Sequence, residues 1–146
     1  MAHSQGRGQR LRVRGNGTVN GNDIGTVLVT GGGGYIGCVL VEMLLERGYQ
    51  VVVLDRFFFG GTLSHFGEHR SLRLIKDDVR WFSPDLLKGV DAVLDLAALS
   101  NDPAGELDPE KTMEINHRGR VRVAKLAKQN AVKQYVLASS CSIYGF

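Results

Sequence analysis

The sequence predicts a doubly wound α/β fold, in which helices cover both faces of a parallel sheet. Three observations predict it. From residue 24 onward, strand-like apolar runs alternate with segments of helical periodicity. The apolar runs are nearly continuous, which is typical of strands buried on both faces. A glycine-rich turn joins the first run directly to a helix. The 146 residues suffice for one domain with a hydrophobic core.

Each element has its own local signal. In the first helix, expected from Tyr35 to Gly48, apolar residues recur at helical spacing, and the glycine suits the helix end. Ser83 caps a short helix that starts at Pro84, and Asp108 caps a long helix that runs from Pro109 to about residue 130. The expected strands are residues 24–30, 50–55, 72–76, 91–97 and 134–139.

The most informative stretch is the turn after the first strand, which reads TGGGGYIG and ends at Gly37. Gly31 permits a tight turn, Gly34 lets the backbone approach a phosphate, and Gly37 lets the helix pack closely on the strand. The helix N-terminus then offers unpaired N–H groups to an anion. Twenty-four residues after Gly31, the second strand ends in Asp55, whose carboxylate can accept ribose hydroxyls. The glycines alone would also suit a hairpin; in this context they predict a Rossmann-type dinucleotide site.

Composition excludes several classes of function. Hydrophobic residues make up 43% of the chain and charged residues 23%, as in a globular protein. No apolar run is long enough to span a bilayer or to act as a signal peptide. The two cysteines, Cys38 and Cys141, are too few for a disulfide scaffold and suit a reducing, cytoplasmic compartment. We therefore expect no membrane partner.

The charge pattern separates residues 1–23 from the rest. This leader contains four arginines and one acid, which account for the whole net charge of +3. The remainder is electrically balanced, so we expect no nucleic-acid partner. Rich in glycine and polar residues, the leader is expected to be a disordered tail, with a transit-like segment as the alternative. Residues 24–146 form the predicted domain.

One loop is unusual for its aromatic residues. Phe57, Phe58 and Phe59 follow the second strand in a loop that reaches residue 70. Three exposed aromatic rings would be uncommon, so we expect them to pack locally under the loop. The alternative is a contact with the adenine end of a dinucleotide or with another subunit.

Several stretches together resemble the extended short-chain dehydrogenase/reductase superfamily, in its NAD-dependent epimerase/dehydratase branch, whose members act on nucleotide sugars. The resemblance covers residues 24–146, less than half of a complete family enzyme. The matching stretches are the glycine turn at 30–37, Leu54-Asp55, Asp77-Asp78-Val79-Arg80, Leu96-Ala97-Ala98, Asn116 with Gly119, and Ser139-Ser140-Cys141-Ser142-Ile143-Tyr144-Gly145.

The resemblance implies that NAD is the cofactor and assigns residues to it. Asp55 would hold the adenosine ribose and favour NAD over NADP, a preference that the neighbouring Arg56 could soften. Asp78 and Val79 would meet the adenine, with the carboxylate accepting from its amino group. Asn116 would tie its helix to the fourth strand. The implied cofactor-binding residues are Gly31, Gly34, Tyr35, Ile36, Gly37, Asp55, Arg56, Asp78, Val79, Leu96, Ala97, Ala98, Asn116 and Ser139.

For catalysis the resemblance points to Ser140 at the end of the fifth strand. In the family this hydroxyl bonds the substrate oxygen that gains or loses a proton, together with a Tyr-x-x-x-Lys pair. A plain strand-end hydroxyl is the alternative reading of Ser140. The chain contains no Tyr-x-x-x-Lys pair, so we expect it to be inactive by itself.

Departures from the family pattern also carry information. Cys141 and Ser142 stand where sugar dehydratases have an acidic pair, so epimerisation or reduction is favoured over elimination. Asp95 stands where relatives often have histidine, and we expect either a salt bridge or a perturbed carboxyl group. Ala131 replaces a helix-ending glycine, which we expect to have no consequence.

The expected strand order is 3-2-1-4-5, without the later strands and the substrate domain of the complete family fold. The fifth strand would then be an exposed edge, and such edges favour association. The implied partners are a nucleotide-sugar substrate and either a second copy or a complementing C-terminal half. A monomer that melts cooperatively would count against that association. A non-catalytic NAD(H)-binding module, or an inactive fragment, is the alternative to an enzyme.

Overall fold

The computed structural model describes residues 24–100 and 108–140. Its centre is a parallel five-stranded sheet with the order β3-β2-β1-β4-β5, which confirms the predicted fold class. The first, fourth and fifth strands are shorter than expected because their outer residues continue into loops. The strands are β1 (Thr26–Thr30), β2 (Gln50–Asp55), β3 (Leu72–Lys76), β4 (Ala92–Asp95) and β5 (Gln134–Leu137).

Helices connect the strands. They are α1 (Tyr35–Glu46), α2 (Pro109–Met113) and α3 (Arg120–Gln129), with short 3₁₀ turns at Ser64–Phe66 and Pro84–Leu87. The expected long helix is interrupted, because a π-helical turn, Glu114–Gly119, separates α2 from α3. Side-chain caps from Ser83 and Asp108 begin the second 3₁₀ turn and α2, as predicted. None of the helices in the described part of the chain is long and apolar enough to cross a membrane.

The core has two parts, one on each face of the sheet. Because successive strand residues point to opposite faces, Leu28 joins one cluster while Val27 and Val29 join the other. The second 3₁₀ turn contributes Leu87 and α3 contributes Val123 to the first cluster. Both faces are therefore covered, as the continuous apolar strands predicted.

Two helices end in the same hydrogen-bond pattern, one with glycine and one without. At the end of α1, Gly48 has φ of +83°. At the end of α3, Ala131 occupies the equivalent position with φ of +55°. There its N–H donates to the Lys128 carbonyl, and the Val132 N–H donates to the Ala127 carbonyl. The expectation that Ala131 has no consequence is wrong, because a Cβ in this left-handed region is strained.

In the aromatic loop after β2, only one of the three phenylalanine rings packs as expected. Phe57 packs against the second core cluster, although its φ is +52°. Phe58 and Phe59 are 71% and 81% exposed, so the prediction that all three rings pack locally is wrong. Phe58 instead lies beneath the Arg56 guanidinium, whose central carbon is 5.1 Å from the ring centroid.

Candidate functional site

The glycine turn lies between β1 and α1, at the carboxyl edge of the sheet. In this sheet β1 lies beside β4: the chain leaves β1 towards β2 on one side, and it leaves β4 towards β5 on the other side. Ligands bind doubly wound sheets at such a switch point. Gly31 has φ of +69°, and its N–H donates to the Leu54 carbonyl at 2.9 Å. The turn is thereby joined to the end of β2.

The surroundings of the turn leave little or no room for side chains at its glycines. A Cβ at Gly31 would lie 2.8 Å from the backbone nitrogen of Ala97, closer than real contacts allow. A Cβ at Gly37 would overlap the Gly31 carbonyl oxygen. At Gly34 the nearest atom would be 3.3 Å away, so this position is tight but less severely blocked. The glycine turn is therefore bare backbone, packed between α1 and the residues that follow β4; we call it the glycine cradle.

The N-terminus of α1 opens from this cradle. Gly34 is its N-cap residue and has an extended backbone, so no side chain caps the helix, and its first turn contains no acid. Tyr35 and Ile36 are 93% and 65% exposed. Uncapped N–H groups and the positive end of the helix dipole suit an anion. The residues present therefore fit a pyrophosphate, and their binding of one stays a prediction.

Asp55 lies beside the cradle, at the end of β2. One carboxylate oxygen accepts from the Gly33 N–H at 2.9 Å, and the other accepts from the Phe57 N–H at 2.6 Å. A carboxylate has about four acceptor positions, so each oxygen keeps capacity for a further hydroxyl donor. This geometry fits a ribose, and the ribose-binding role of Asp55 stays a prediction.

Beyond the end of β3, Asp78 is at the centre of an ion-pair network. It is 4% exposed and accepts from both Arg80 and Arg56. Arg80 also pairs with Glu114 at 2.8 Å, and its guanidinium lies 4.2 Å from the Trp81 ring centroid. Burial raises the pKa of Asp78, but the hydrogen bonds and charge of the arginines outweigh it and leave this pKa below its usual value.

Asn116 connects the π-helical turn to the loop after β4. Its side-chain amide donates to the Leu99 carbonyl and accepts from the Leu99 N–H, both at 2.8 Å. The predicted tie therefore exists, but it reaches the loop beyond the strand. Gly119 lies one turn later against Val79, where a Cβ would be 2.9 Å from a side-chain methyl group. Val79 is itself buried beside Asp78.

The remaining predicted residues lie along the same edge of the sheet. Leu96 and Ala97 are half-buried just after β4, and Ala98 is exposed. Ser139 and Ser140 are exposed just after β5, the strand beside β4. The structure thus places both serines at the edge that holds the glycine cradle, and their roles stay predictions. The leader and the end of the serine motif, residues 141–146, lie outside the described residues.

A buried polar network lies beneath the site, and the partners of Asp95 in it were not predicted from the sequence. Asp95 is 0% exposed and accepts from the Thr30 hydroxyl and from the Tyr135 hydroxyl, each at 2.5 Å. The Arg120 Nε lies 3.6 Å from the same carboxylate. Of the two alternatives expected for Asp95, the structure therefore shows the salt bridge. Burial first, and then the hydrogen bond and charge of Asp95, raises the pKa of Tyr135 well above its usual value.

This network connects the cradle to the strand that precedes the serines. The Thr30 hydroxyl also accepts from the N–H groups of Leu96 and Ala97, at 3.2 Å each. One terminal nitrogen of Arg120 donates to the Asp95 carbonyl at 3.0 Å and to the Ala138 carbonyl at 2.6 Å. Thr30 and Asp95 are partners in the β1–β4 register, so alignment of the strand ends could have predicted their contact. No such signal identifies Arg120.

Sequence comparison relates the chain to enzymes of nucleotide-sugar metabolism. The family model that matches residues 27–146 describes the NAD-dependent epimerase/dehydratase family. UDP-glucuronic acid decarboxylase 1 of Arabidopsis thaliana is 35% identical over 121 residues, which cover 82% of this chain and 27% of that relative. The chain thus spans about a quarter of the length of this curated relative.

Solved structures show the same similarity. UDP-N-acetylglucosamine 4-epimerase from Methanobrevibacter ruminantium M1 superposes with a TM-score of 0.75 at 29% identity, over 84% of this chain and 40% of that one. MoeE5, solved in complex with UDP-glucose and NAD, superposes with a TM-score of 0.71 at 34% identity, over 83% of this chain and 38% of that one.

Proposed function

Because the chain belongs to the NAD-dependent epimerase/dehydratase family, we propose that it binds NAD and forms the cofactor-binding part of an enzyme acting on a nucleotide sugar. The observation that carries the proposal is the bare backbone cradle at the uncapped N-terminus of α1. The complex of MoeE5 with UDP-glucose and NAD supports the two ligand classes.

We propose that the N–H groups at the start of α1 bind the pyrophosphate, and that Gly31, Gly34 and Gly37 keep side chains out of its way. Asp55 then accepts from the hydroxyls of the adenosine ribose. Its carboxylate would repel a 2′-phosphate, so we expect NAD to bind more tightly than NADP. Leu96, Ala97 and Ala98 would line the nicotinamide side of the crevice.

When bound, NAD supplies a carbon that accepts and returns a hydride. Ser140 is proposed to donate a hydrogen bond to the sugar oxygen that gains or loses a proton, which is a positioning and charge-stabilising role. The residue that would move this proton is the tyrosine of a Tyr-x-x-x-Lys pair, and the 146 residues contain none. We therefore expect no turnover by this chain alone; epimerisation or reduction is the proposed reaction of the complete enzyme.

A charge placed at the start of α1 tests the pyrophosphate site. Ile36 is 65% exposed in the first helical turn, so Ile36→Glu should leave the fold intact. An acid there also favours the helix dipole, by about 0.3–1 kcal/mol. The same charge should repel a pyrophosphate and weaken NADH binding by about tenfold or more. Titration of the single tryptophan, Trp81, by energy transfer to NADH measures this affinity.

Val39→Glu is the matched control, since Val39 is 55% exposed on the same helix but one turn further from its N-terminus. We expect this variant to bind NADH within about threefold of the unmodified chain, because its exposed charge lies about one helical turn, or about 5 Å, further from the phosphates and is screened by solvent. Equal affinities for Ile36→Glu and Val39→Glu would contradict a pyrophosphate at the helix start. A folded chain that does not bind NADH at all would contradict the proposed function.

The exposed edge strand of the sheet suggests where a partner polypeptide would pair. β5 is an edge strand within the described residues, and Val136 and Leu137 are 55% and 49% exposed on it. Such an edge favours pairing with further polypeptide. A second copy or a complementing C-terminal half remains our proposal for what covers it.

A further inference from the structure

The hydrogen-bond ladder between β4 and β5 ends in a fork. Its final bond joins the Ala138 N–H to the Asp95 carbonyl at 3.0 Å. In a regular parallel ladder the Ala138 carbonyl would next accept from the Ala97 N–H. That N–H instead donates to the Thr30 hydroxyl at 3.2 Å, so the chain beyond β4 stays with β1 and leaves β5. The ends of β4 and β5 therefore separate at this point.

The guanidinium of Arg120 reaches into this fork from α3. One of its terminal nitrogens donates to the Asp95 carbonyl at 3.0 Å and to the Ala138 carbonyl at 2.6 Å, one carbonyl from each strand end. Its Nε lies 3.6 Å from the fully buried Asp95 carboxylate, whose charge attracts the guanidinium and holds it in place. Because a guanidinium is planar and its donors point in fixed directions, Arg120 sets the distance between the two strand ends.

The backbone beyond this fork belongs to one half of the proposed ligand site. Residues 96–98 follow β4, and under the proposed function they line the nicotinamide side of the crevice. Ser139 and Ser140 follow β5. The proposed pyrophosphate and ribose contacts come from other elements, the glycine cradle and Asp55 at the end of β2. The two carbonyls that Arg120 holds therefore lead into the nicotinamide half of the site.

We propose that Arg120 is a positioning residue for the nicotinamide half of the dinucleotide, which it supports through the backbone at the ends of β4 and β5 without touching the ligand. This inference rests on the proposed binding of NAD. A displacement of about 1 Å in such a supporting backbone is enough to weaken a well-placed contact substantially. Loss of Arg120 should therefore weaken the hold on the nicotinamide ring and spare the contacts of the pyrophosphate and the adenosine.

A comparison of two ligands isolates the nicotinamide ring. ADP-ribose keeps the adenosine, the pyrophosphate and the second ribose of NADH but lacks the nicotinamide. Calorimetric titration of the whole chain measures both dissociation constants, and NADH should bind about fivefold or more tightly than ADP-ribose. Arg120→Met keeps the apolar length of the side chain and removes its donors. In this variant the preference for NADH should fall to about twofold or less, while the affinity for ADP-ribose stays within about threefold.

Arg122→Met is the matched control on the same helix. Arg122 is also half-buried, but its guanidinium donates to the Phe82 carbonyl at 2.9 Å and lies over the Phe82 ring, so it holds no strand end. This variant should keep the preference for NADH within about twofold of that of the unmodified chain. Because Arg120→Met leaves the buried Asp95 carboxylate without its cation, the double variant Asp95→Asn/Arg120→Met removes both charges together. It should show the same loss of preference as Arg120→Met.

The outcomes separate this inference from the proposed function. If neither ligand binds the unmodified chain, both fail. If NADH binds the unmodified chain no more tightly than ADP-ribose does, the strand ends do not hold the nicotinamide. If the preference survives in both Arg120 variants, or if Arg122→Met removes it equally, Arg120 acts on stability alone. In these last two cases, as in the one before, the inference is overturned while the proposed binding of NAD stands.

Discussion

Removal of one hydroxyl group tests the buried network beneath the cradle. In Tyr135→Phe the Asp95 carboxylate, which is 0% exposed, loses the donor at 2.5 Å from one oxygen. That oxygen keeps only the Arg120 Nε, at 3.6 Å, which is too long for a hydrogen bond. Hydrogen bonds to charged groups contribute about 1.5–3 kcal/mol. We expect the free energy of unfolding to fall by about that amount at pH 7.

The same substitution should change how stability depends on alkaline pH. The pKa of Tyr135 is raised in the folded state, so the folded chain holds this proton more tightly than the unfolded chain does. The resulting stabilisation is complete below the pKa of an unfolded tyrosine, about 10, and is lost as the pH rises above it. The unmodified chain should therefore lose stability above about pH 10 more steeply than Tyr135→Phe.

Urea denaturation followed by Trp81 fluorescence, at pH 7 and in steps from pH 8 to 11, measures both effects. Tyr49→Phe is the matched control, because Tyr49 is a half-buried tyrosine packed against the other core cluster. We expect this control to keep the alkaline slope of the unmodified chain. A loss below about 0.5 kcal/mol for Tyr135→Phe, or an alkaline slope equal to that of the unmodified chain, would refute the account of the network.

Two further predictions concern stability. Ala131→Gly should raise the free energy of unfolding by about 0.5–1 kcal/mol, since Ala131 has φ of +55°. Gly48→Ala, at the equivalent end of α1, should lower the free energy of unfolding. Thermal melts that rank the two variants the other way would contradict this. The Asp91 carboxylate accepts from Lys133 and from two backbone N–H groups, which lower its pKa to about 2. Because its pKa is depressed, its stabilisation is present above about pH 4 and is lost as the pH falls towards 2. Asp91→Asn should cost about 1–2 kcal/mol at pH 7 and almost nothing near pH 2; a pH-independent difference in acid denaturation curves would disprove it.

Local patterns were enough for much of the fold and for the glycine cradle. The spacing of Gly31, Gly34 and Gly37 after an apolar strand predicted the turn, and the structure shows that side chains at Gly31 and Gly37 would collide with backbone. Caps at Ser83 and Asp108 were also predicted, since a cap depends on residues within one helical turn. The roles of the three glycines in binding a ligand stay predictions until binding is measured.

Other features could not be predicted from the sequence, because local secondary-structure propensity does not determine them. Nothing in the helical pattern around Asn116 indicated a π-helical turn; the turn comes where that side chain bonds the distant backbone of Leu99. The strain at Ala131 could have been predicted from the missing glycine, but its φ depends on how α3 ends. Phe58 and Phe59 are exposed because the loop after β2 directs them away from the core.

By itself, the sequence determined the α/β class and the glycine turn, because hydrophobic periodicity, caps and glycines act within a few residues; the strand order was expected from the family resemblance. Only the tertiary structure decided which charged and polar side chains meet. Asp95 and Tyr135 are 40 residues apart, and Arg80 and Glu114 are 34 apart. Their contacts depend on sheet register and on the placement of α2 and α3, which no local pattern encodes. Burial then makes these contacts strong, because a charge removed from water must be paired.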